Sequence, residues 1–264
     1  MNILALDTST EACSAALCVG AASNATGGRV LARYQEAPRG HAELILPMVD
    51  ALLAEAGLTL KDLDAIAFGR GPGSFTGVRL ASSVVQGLAY GSGLGVVPVS
   101  TLRAVAYHAF ALEDERGAPS ATHVLVCNDA RMDEVYVGAF ARGSGADGVA
   151  VPVALGVETV QPPDKVVVPS VEGAARSDGA GVREPPRWIG AGRGFTAYPA
   201  LSSLRAEQGG PLVAVHETIL PRAEDLLALA RPEVAAGRVW PAIAALPIYV
   251  RDQVAKIPGS LSSA

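Results

Sequence analysis

One layout occurs twice in this sequence, 122 residues apart. Residues 3–6 form an apolar run that ends at Asp7, a polar turn follows, and residues 13–19 read as a second strand. Residues 123–128 form another apolar run that ends at Asp129, and residues 134–140 alternate as its second strand. Glu11 and Asp133 keep the same offset. A single strand–Asp–turn–strand unit is common and says little. Two at constant spacing read as an internal duplication. A chain of 264 residues is long enough to hold two such lobes.

The elements after each pair narrow the fold further. In the first half, a glycine-rich loop over 20–28 leads to a third strand at 30–35. Residues 41–56 place Leu44, Ile45, Met48, Val49, Leu52 and Leu53 at helical spacing, with Gly57 as a stop. Pro47 either sits in the first turn of that helix or kinks it. A strand at 65–68, a helix at 75–90, a strand at 95–99 and a helix from Ser100 or Thr101 to about residue 112 complete the half. The order βββ-α-β-α-β-α predicts an α/β fold, a central sheet with parallel pairs covered by helices. It is the order of a ribonuclease-H-like half-domain.

The second half is less regular. Strands are expected at 166–168, 188–192 and 211–215, a surface loop at 169–186 and a helix at 222–236. A short extended segment follows at 248–256, and a disordered tail is expected over 256–264. The expected division is a first lobe over 1–110 and a reduced second lobe over 111–264, with helix 222–236 able to pack back on the first.

Composition removes several function classes. Half the residues are hydrophobic, 18% are charged, and the net charge is −5. A free-standing nucleic-acid binder carries a basic surface, and this chain has none to spare. No apolar run reaches the length of a membrane span. The N-terminus lacks a basic region and meets Asp7 early, so no ordinary signal peptide is expected and the cytoplasm is the expected compartment. Cys13, Cys18 and Cys127 are odd in number and form no Cys-x-x-Cys, which favours buried free thiols over a disulfide or zinc framework. His41, His108, His123 and His216 are too far apart for a helical metal pair.

Three stretches can carry chemistry. Asp7-Thr8-Ser9-Thr10 places a carboxylate, hydroxyls and backbone N–H groups at a strand end, where they either hold a phosphate or hydrated Mg²⁺ or cap their own turn. Asp129 in the other lobe can face the same cleft. The second stretch, Gly69-Arg70-Gly71-Pro72-Gly73-Ser74-Phe75-Thr76-Gly77-Val78-Arg79, joins a strand to a helix. It lacks the Gly-Lys-Ser/Thr of a phosphate-binding loop, so its glycines read first as a tight turn permitting close packing and second as an anion site. The third stretch is the helix it launches. Gly77, Leu80, Ala81, Val84, Val85 and Leu88 share one stripe, and no charge occurs from Leu80 to Leu94. A helix covering one side of a sheet ordinarily carries charge on its outer face. This one is therefore either buried within the monomer or covered by a partner. Arg131, Asp133 and Glu134 form a charged group at the second turn, read either as a cleft cluster or as a solvated turn.

Residues 3–10, 41–48, 71–79, 129–136 and 247–251 together closely resemble the TsaB (YeaZ) family, densely in the N-terminal half and in islands beyond it. The Gly-Pro-Gly-Ser-Phe-Thr-Gly-Val-Arg string from Gly71 to Arg79 is the most specific of these matches. The resemblance implies an actin-like, sugar-kinase-like fold of two ribonuclease-H-like lobes. It implies a non-catalytic subunit for forming threonylcarbamoyladenosine in tRNA, paired with the transferase TsaD and helping to recruit the ATPase TsaE. It implies no catalytic or metal site of the chain's own, since the His-x-x-x-His motif of TsaD is missing. ATP, ADP and metal then belong to the partners, and tRNA is met through the complex. The implied partner surface lies on the first two helices, with His41, Leu44, Ile45, Met48, Leu52, Gly77, Leu80, Ala81, Val84, Val85 and Leu88 as candidate contacts. Asp7, Thr8, Ser9 and Asp129 remain the candidate nucleotide residues. The isolated chain can pair with itself through the apolar face. The alternative is an actin-fold phosphotransferase using ATP and Mg²⁺ at Asp7 and Asp129; a residual peptidase is a weaker third.

Overall fold

The structure, a computed structural model, describes residues 1–20, 28–117, 121–145, 150–171 and 185–251. Most of the loop expected at 169–186 and the whole tail expected at 256–264 lie outside the described residues.

The first sheet is built from β1 (Ile3–Asp7), β2 (Ala12–Val19), β3 (Arg29–Glu36), β4 (Ala65–Gly69) and β5 (Gly95–Val99), in the order β3-β2-β1-β4-β5. β1 pairs antiparallel with β2 and parallel with β4. Every residue of β1 and β4 is buried, as expected for central strands covered on both faces. One face carries α1 (His41–Ala56) and α2 (Phe75–Ser92), which bury Ile45, Leu52 and Val85 against Leu4, Leu6 and Phe68. Gly40 and Gly57, both in the left-handed region, bracket α1. Pro47 falls beyond the first turn, on the exposed side.

The second sheet repeats the plan. It contains β6 (His123–Asp129), β7 (Val135–Ser144), β8 (Ala150–Ala154), β9 (Thr159–Gln161), β10 (Trp188–Ala191) and β11 (Leu212–His216), in the order β11-β10-β6-β7-β8. β6 matches β1, β7 matches β2, and β10 and β11 match β4 and β5. The place that β3 fills alone is shared: β8 pairs with Phe140–Ser144 of β7, and β9 pairs with Val135–Val137. The strand expected at 166–168 does not form; Val166 is instead buried as it leaves a short 3-10 turn at Pro163–Lys165. Among the described residues, the reduction in this lobe therefore affects helices and not strands. Between β10 and β11 stand only α4 (Gly194–Ala197) and two 3-10 turns, which cover the sheet with Phe195 and Leu201.

The other two helices exchange lobes. α3 (Thr101–Glu115) follows β5 in sequence, yet packs Leu102, Val105, Ala109 and Phe110 against Val124, Val126 and Phe140 of the second sheet. α5 (Ala223–Ala235) follows β11, yet packs Leu226, Leu227 and Ala230 against Ile3, Ala5 and Ala16 of the first. Burying each such Leu contributes about 1.5–3 kcal/mol. α3 runs through residues 110 and 111, so the lobes are joined through helix packing and not by a loose linker. Cys13, Cys18 and Cys127 are buried and free, with Cys13 and Cys18 on opposite faces of β2.

Candidate functional site

Two motifs that look separate in sequence pack into one unit. Asp7, Thr8 and Ser9 are fully buried. Asp7 Oδ1 accepts from the Ser9 backbone N–H at 2.9 Å and from the Ser9 hydroxyl at 2.8 Å. The Thr8 hydroxyl donates to the Gly77 carbonyl at 2.7 Å, and the Ser74 N–H donates to the Ser9 carbonyl at 2.7 Å. A Cβ added at Gly69 would overlap Asp7 Oδ2, one at Gly73 the Ser9 carbonyl oxygen, and one at Gly77 the Thr8 carbonyl oxygen. The glycines of the 69–79 stretch thus let α2 and its preceding turn lie directly on the β1–β2 turn. Gly71, at φ +100, makes the bend itself.

In this packing the groups expected at Asp7, Thr8 and Ser9 for a phosphate or Mg²⁺ make hydrogen bonds within the chain. Their hydroxyls and the Ser9 N–H are consumed within the chain. Burial also pushes the Asp7 carboxyl up to about 7, and its Oδ2 has no hydrogen-bond partner. A carboxyl sealed under Gly69 and raised to about 7 is a poorer partner for a hydrated cation than an ordinary exposed Asp. Asp129 is also taken. Its Oδ1 accepts from the Arg131 N–H at 2.7 Å and from the Tyr198 hydroxyl at 2.8 Å, while Oδ2 meets Arg131 Nη1 at 2.7 Å. The residues present do not fit a nucleotide held by Asp7 and Asp129.

A cleft of about 790 Å³ does lie between the lobes, lined by Thr10, His41, Thr76, Leu80, Asp129 and Arg193 among others. Contacts cross it: Arg193 pairs with Glu36 at 2.5 Å, and the Tyr136 hydroxyl donates to the Gly73 carbonyl at 3.3 Å. At its second-lobe edge, Arg131, Met132 and Asp133 all have φ near +60. A left-handed run of non-glycine residues costs roughly 1–2 kcal/mol per residue and needs support. Arg251 supplies it. Its Nη2 donates to the Ala130 carbonyl at 3.2 Å and also reaches the Glu134 carboxylate. The same tail segment docks on the first lobe, where the Ile248 N–H donates to the Arg70 carbonyl at 2.8 Å and Arg79 Nε donates to the Tyr249 hydroxyl at 2.6 Å. Residues 248–251 are a strap tying the glycine-rich turn to the Arg131–Asp133 turn. Sequence reading missed this role, because Arg251 and its turn are over a hundred residues apart and neither shows the other.

The candidate docking residues divide by burial. Ile45, Leu52, Ala81 and Val85 are fully buried in the monomer core, and Gly77 is sealed against Thr8. They are not surface contacts; the helical stripe that suggested them is the inward one. Leu44, Met48, Val84 and Leu88 are half-buried at the rim of the same core. His41 and Leu80 are half-buried and line the cleft. The outward face of α2 is instead formed by Ser83, Gly87, Tyr90 and Gly91, next to the half-buried Leu80, Val84 and Leu88. A Cβ at Gly87 or Gly91 would meet nothing within 4 Å. Nothing inside the described chain requires glycine there.

The fold has known counterparts. The protein-family model for TsaD, tRNA N6-adenosine threonylcarbamoyltransferase, matches residues 33–258. The Escherichia coli tRNA threonylcarbamoyladenosine biosynthesis protein TsaB is 37% identical over 261 residues, covering 98% of this chain and 99% of the relative. The Haemophilus influenzae protein of the same name is 48% identical over 136 residues, about half of each chain. The solved structure of YeaZ from Pseudomonas aeruginosa superposes with a TM-score of 0.73 at 42% identity, covering 94% of this chain and 100% of that one.

Proposed function

The chain belongs to the TsaB family of tRNA threonylcarbamoyladenosine biosynthesis proteins, and on that premise we propose that it is a non-catalytic subunit docking on the TsaD transferase through the outward face of α1 and α2. One observation carries the reading. Gly87 and Gly91 stand one helical turn apart on an exposed, uncharged face, and no atom of the described chain approaches the position of their missing Cβ. An interior helical glycine costs roughly 0.5–1 kcal/mol relative to alanine. Small residues on an open surface let a second helix come close. Beside them, Leu44, Met48, Leu80, Val84 and Leu88 offer apolar surface that a partner would finish burying.

In this reading the chain stabilises the active arrangement of TsaD and helps to recruit the ATPase TsaE, in the cytoplasm. Nucleotide and metal are held by those partners, and tRNA is met through the assembly. Without TsaD, the same face pairs two copies of this chain. The closed Asp7–Ser9 turn supports the non-catalytic assignment, because the residues that a phosphotransferase would need are spent on packing.

Titration of the TsaD protein from the same organism into the Ser83→Glu variant tests the proposal. A carboxylate introduced on this face should abolish measurable complex formation while leaving the circular dichroism of the isolated chain unchanged. Complex formation at wild-type affinity would remove α2 from the interface.

A further inference from the structure

A second cavity, of about 700 Å³, shares only Ile248, Tyr249 and Val250 with the interlobe cleft. Four polar side chains converge in it: Arg70, Ser100, Arg103 and Glu158. The Arg70 and Arg103 charges repel each other there. Arg70 is fixed through its backbone, its N–H donating to the Val99 carbonyl at 2.9 Å and its carbonyl accepting from the Ile248 N–H at 2.8 Å. Its guanidinium makes no hydrogen bond or ion pair among the described residues. Arg103 donates through Nε to the Pro152 carbonyl at 2.9 Å, and its terminal nitrogens make no hydrogen bond or ion pair among the described residues. Burial and the Arg70 charge together hold the Arg103 guanidinium below its ordinary pKa, opposed by Glu233. Two half-buried cations thus line one cavity and repel each other; Glu158 acts on Arg70 and Glu233 on Arg103 through space, without an ion pair to either among the described residues, and an anion between them would relieve the repulsion.

Glu158 partly meets the need. Its carboxylate accepts from the Ser100 hydroxyl, and Ser100 in turn caps α3 by accepting from the Arg103 N–H at 3.1 Å. Yet no ion pair joins Glu158 to Arg70 or Arg103 among the described residues. It arrives on the β8–β9 connection, whose Leu155, Gly156 and Val157 are exposed.

We propose that this cavity binds a phosphate group between Arg70 and Arg103, with Glu158 as a built-in competitor for the same place. A phosphate monoester offers enough oxygens for fork-like guanidinium contacts from each side and relieves the repulsion between Arg70 and Arg103. The apolar walls, Phe140, Val153 and Tyr249, suit a phosphate carried on a larger organic body. None of the residues belongs to the α1–α2 face, so the inference stands independently of the docking proposal.

Calorimetric titration of the full chain with pyrophosphate, with ADP and with tRNA tests it on three proteins: wild type, Arg70→Gln and Glu158→Gln. Arg70 is the residue to change, because its side chain has no internal bond to lose; Arg103 supports Pro152. Saturable binding of at least one probe is expected, weakened about tenfold or more by Arg70→Gln and tightened about tenfold by Glu158→Gln. Binding of pyrophosphate and ADP assigns the site to a free phosphate ester, and binding of tRNA alone assigns it to an RNA backbone. An equal thermal midpoint for wild type and Arg70→Gln shows that the loss is one of contact and not of fold. Identical binding by wild type and Arg70→Gln, or no saturable binding of any probe by wild type and Glu158→Gln, would overturn the proposal.

Discussion

Replacing glycine by alanine at two positions of α2 should have opposite effects. At Gly77 the new Cβ would stand well inside 3.0 Å of the Thr8 carbonyl oxygen, a backbone atom that cannot swing aside. Either α2 lifts from the β1–β2 turn or that turn shifts, and both strain the Thr8 hydroxyl bond to the Gly77 carbonyl. Overpacking of this kind costs about 1–3 kcal/mol. At Gly87 the Cβ meets nothing within 4 Å, and alanine reduces the freedom of the unfolded chain. That substitution should stabilise by about 0.5–1 kcal/mol. At roughly 2–4 °C per kcal/mol for a chain of this size, Gly77→Ala should lower the melting midpoint by about 2–12 °C, while Gly87→Ala raises it by about 1–4 °C. Urea denaturation and calorimetry of the isolated chain read both values. If the two substitutions move stability in the same direction, the division of α2 into an inward and an outward glycine face is wrong.

Asp7 should show itself in the pH dependence. Its carboxyl is raised from 3.8 to about 7 in the folded chain by burial, so the native state holds a proton that the unfolded state has released. Its contribution to stability is therefore full below about pH 4, falls as pH rises towards 7, and is flat above. Asp7→Asn should remove that decline and be more stable than wild type at pH 8, read from denaturant midpoints at pH 5 and pH 8. Arg251→Ala should cost about 1.5–3 kcal/mol in the same assay, because the Ala130 carbonyl and the Glu134 carboxylate lose a charged donor and the left-handed turn at 131–133 loses its support. A loss under about 0.5 kcal/mol, the size of an ordinary surface change, would mean that the strap does not hold the turn.

Strong periodicity and turn chemistry made the first lobe legible. The α1 stripe from Leu44 to Leu53 and the glycine after Ala56 give that helix its observed bounds. The recurrence of Asp7 and Glu11 as Asp129 and Asp133 disclosed the doubled sheet, because a strand end facing a tight turn imposes a local pattern. What failed was the choice between a core and a covered surface. Ala81 and Val85 look alike to a periodicity argument whether the neighbour is β4 or another protein, and here the neighbour is β4 and the sheet beside it. Gly87 and Gly91, the outward pair, break no rule of helix spacing and drew no notice.

The second lobe was obscure for another reason. β8 buries only Pro152 among its five residues, and β9 is three residues long, so neither shows the apolar alternation of a strand. Their place is set by the long edge of β7. The exchange of α3 and α5 between sheets is a property of packing partners and leaves no sequence signal, although a return of helix 222–236 to the first lobe was foreseeable. The close packing at Asp7–Ser9 was not legible, because a carboxylate after a strand looks the same in sequence whether it faces a cleft or glycine. The spacing of Gly69, Gly73 and Gly77, one residue every fourth, was the available sign that something had to fit closely against them.

The most direct test of the account is the threonylcarbamoyladenosine content of tRNA, measured by mass spectrometry, in cells whose sole copy of this protein carries Gly87→Arg. The side chain would project from an open helix face without touching the fold, and would keep a partner helix from seating. The account predicts a folded protein at normal abundance and a loss of the modified nucleoside. Modification at the wild-type level, with TsaD still bound, would contradict it.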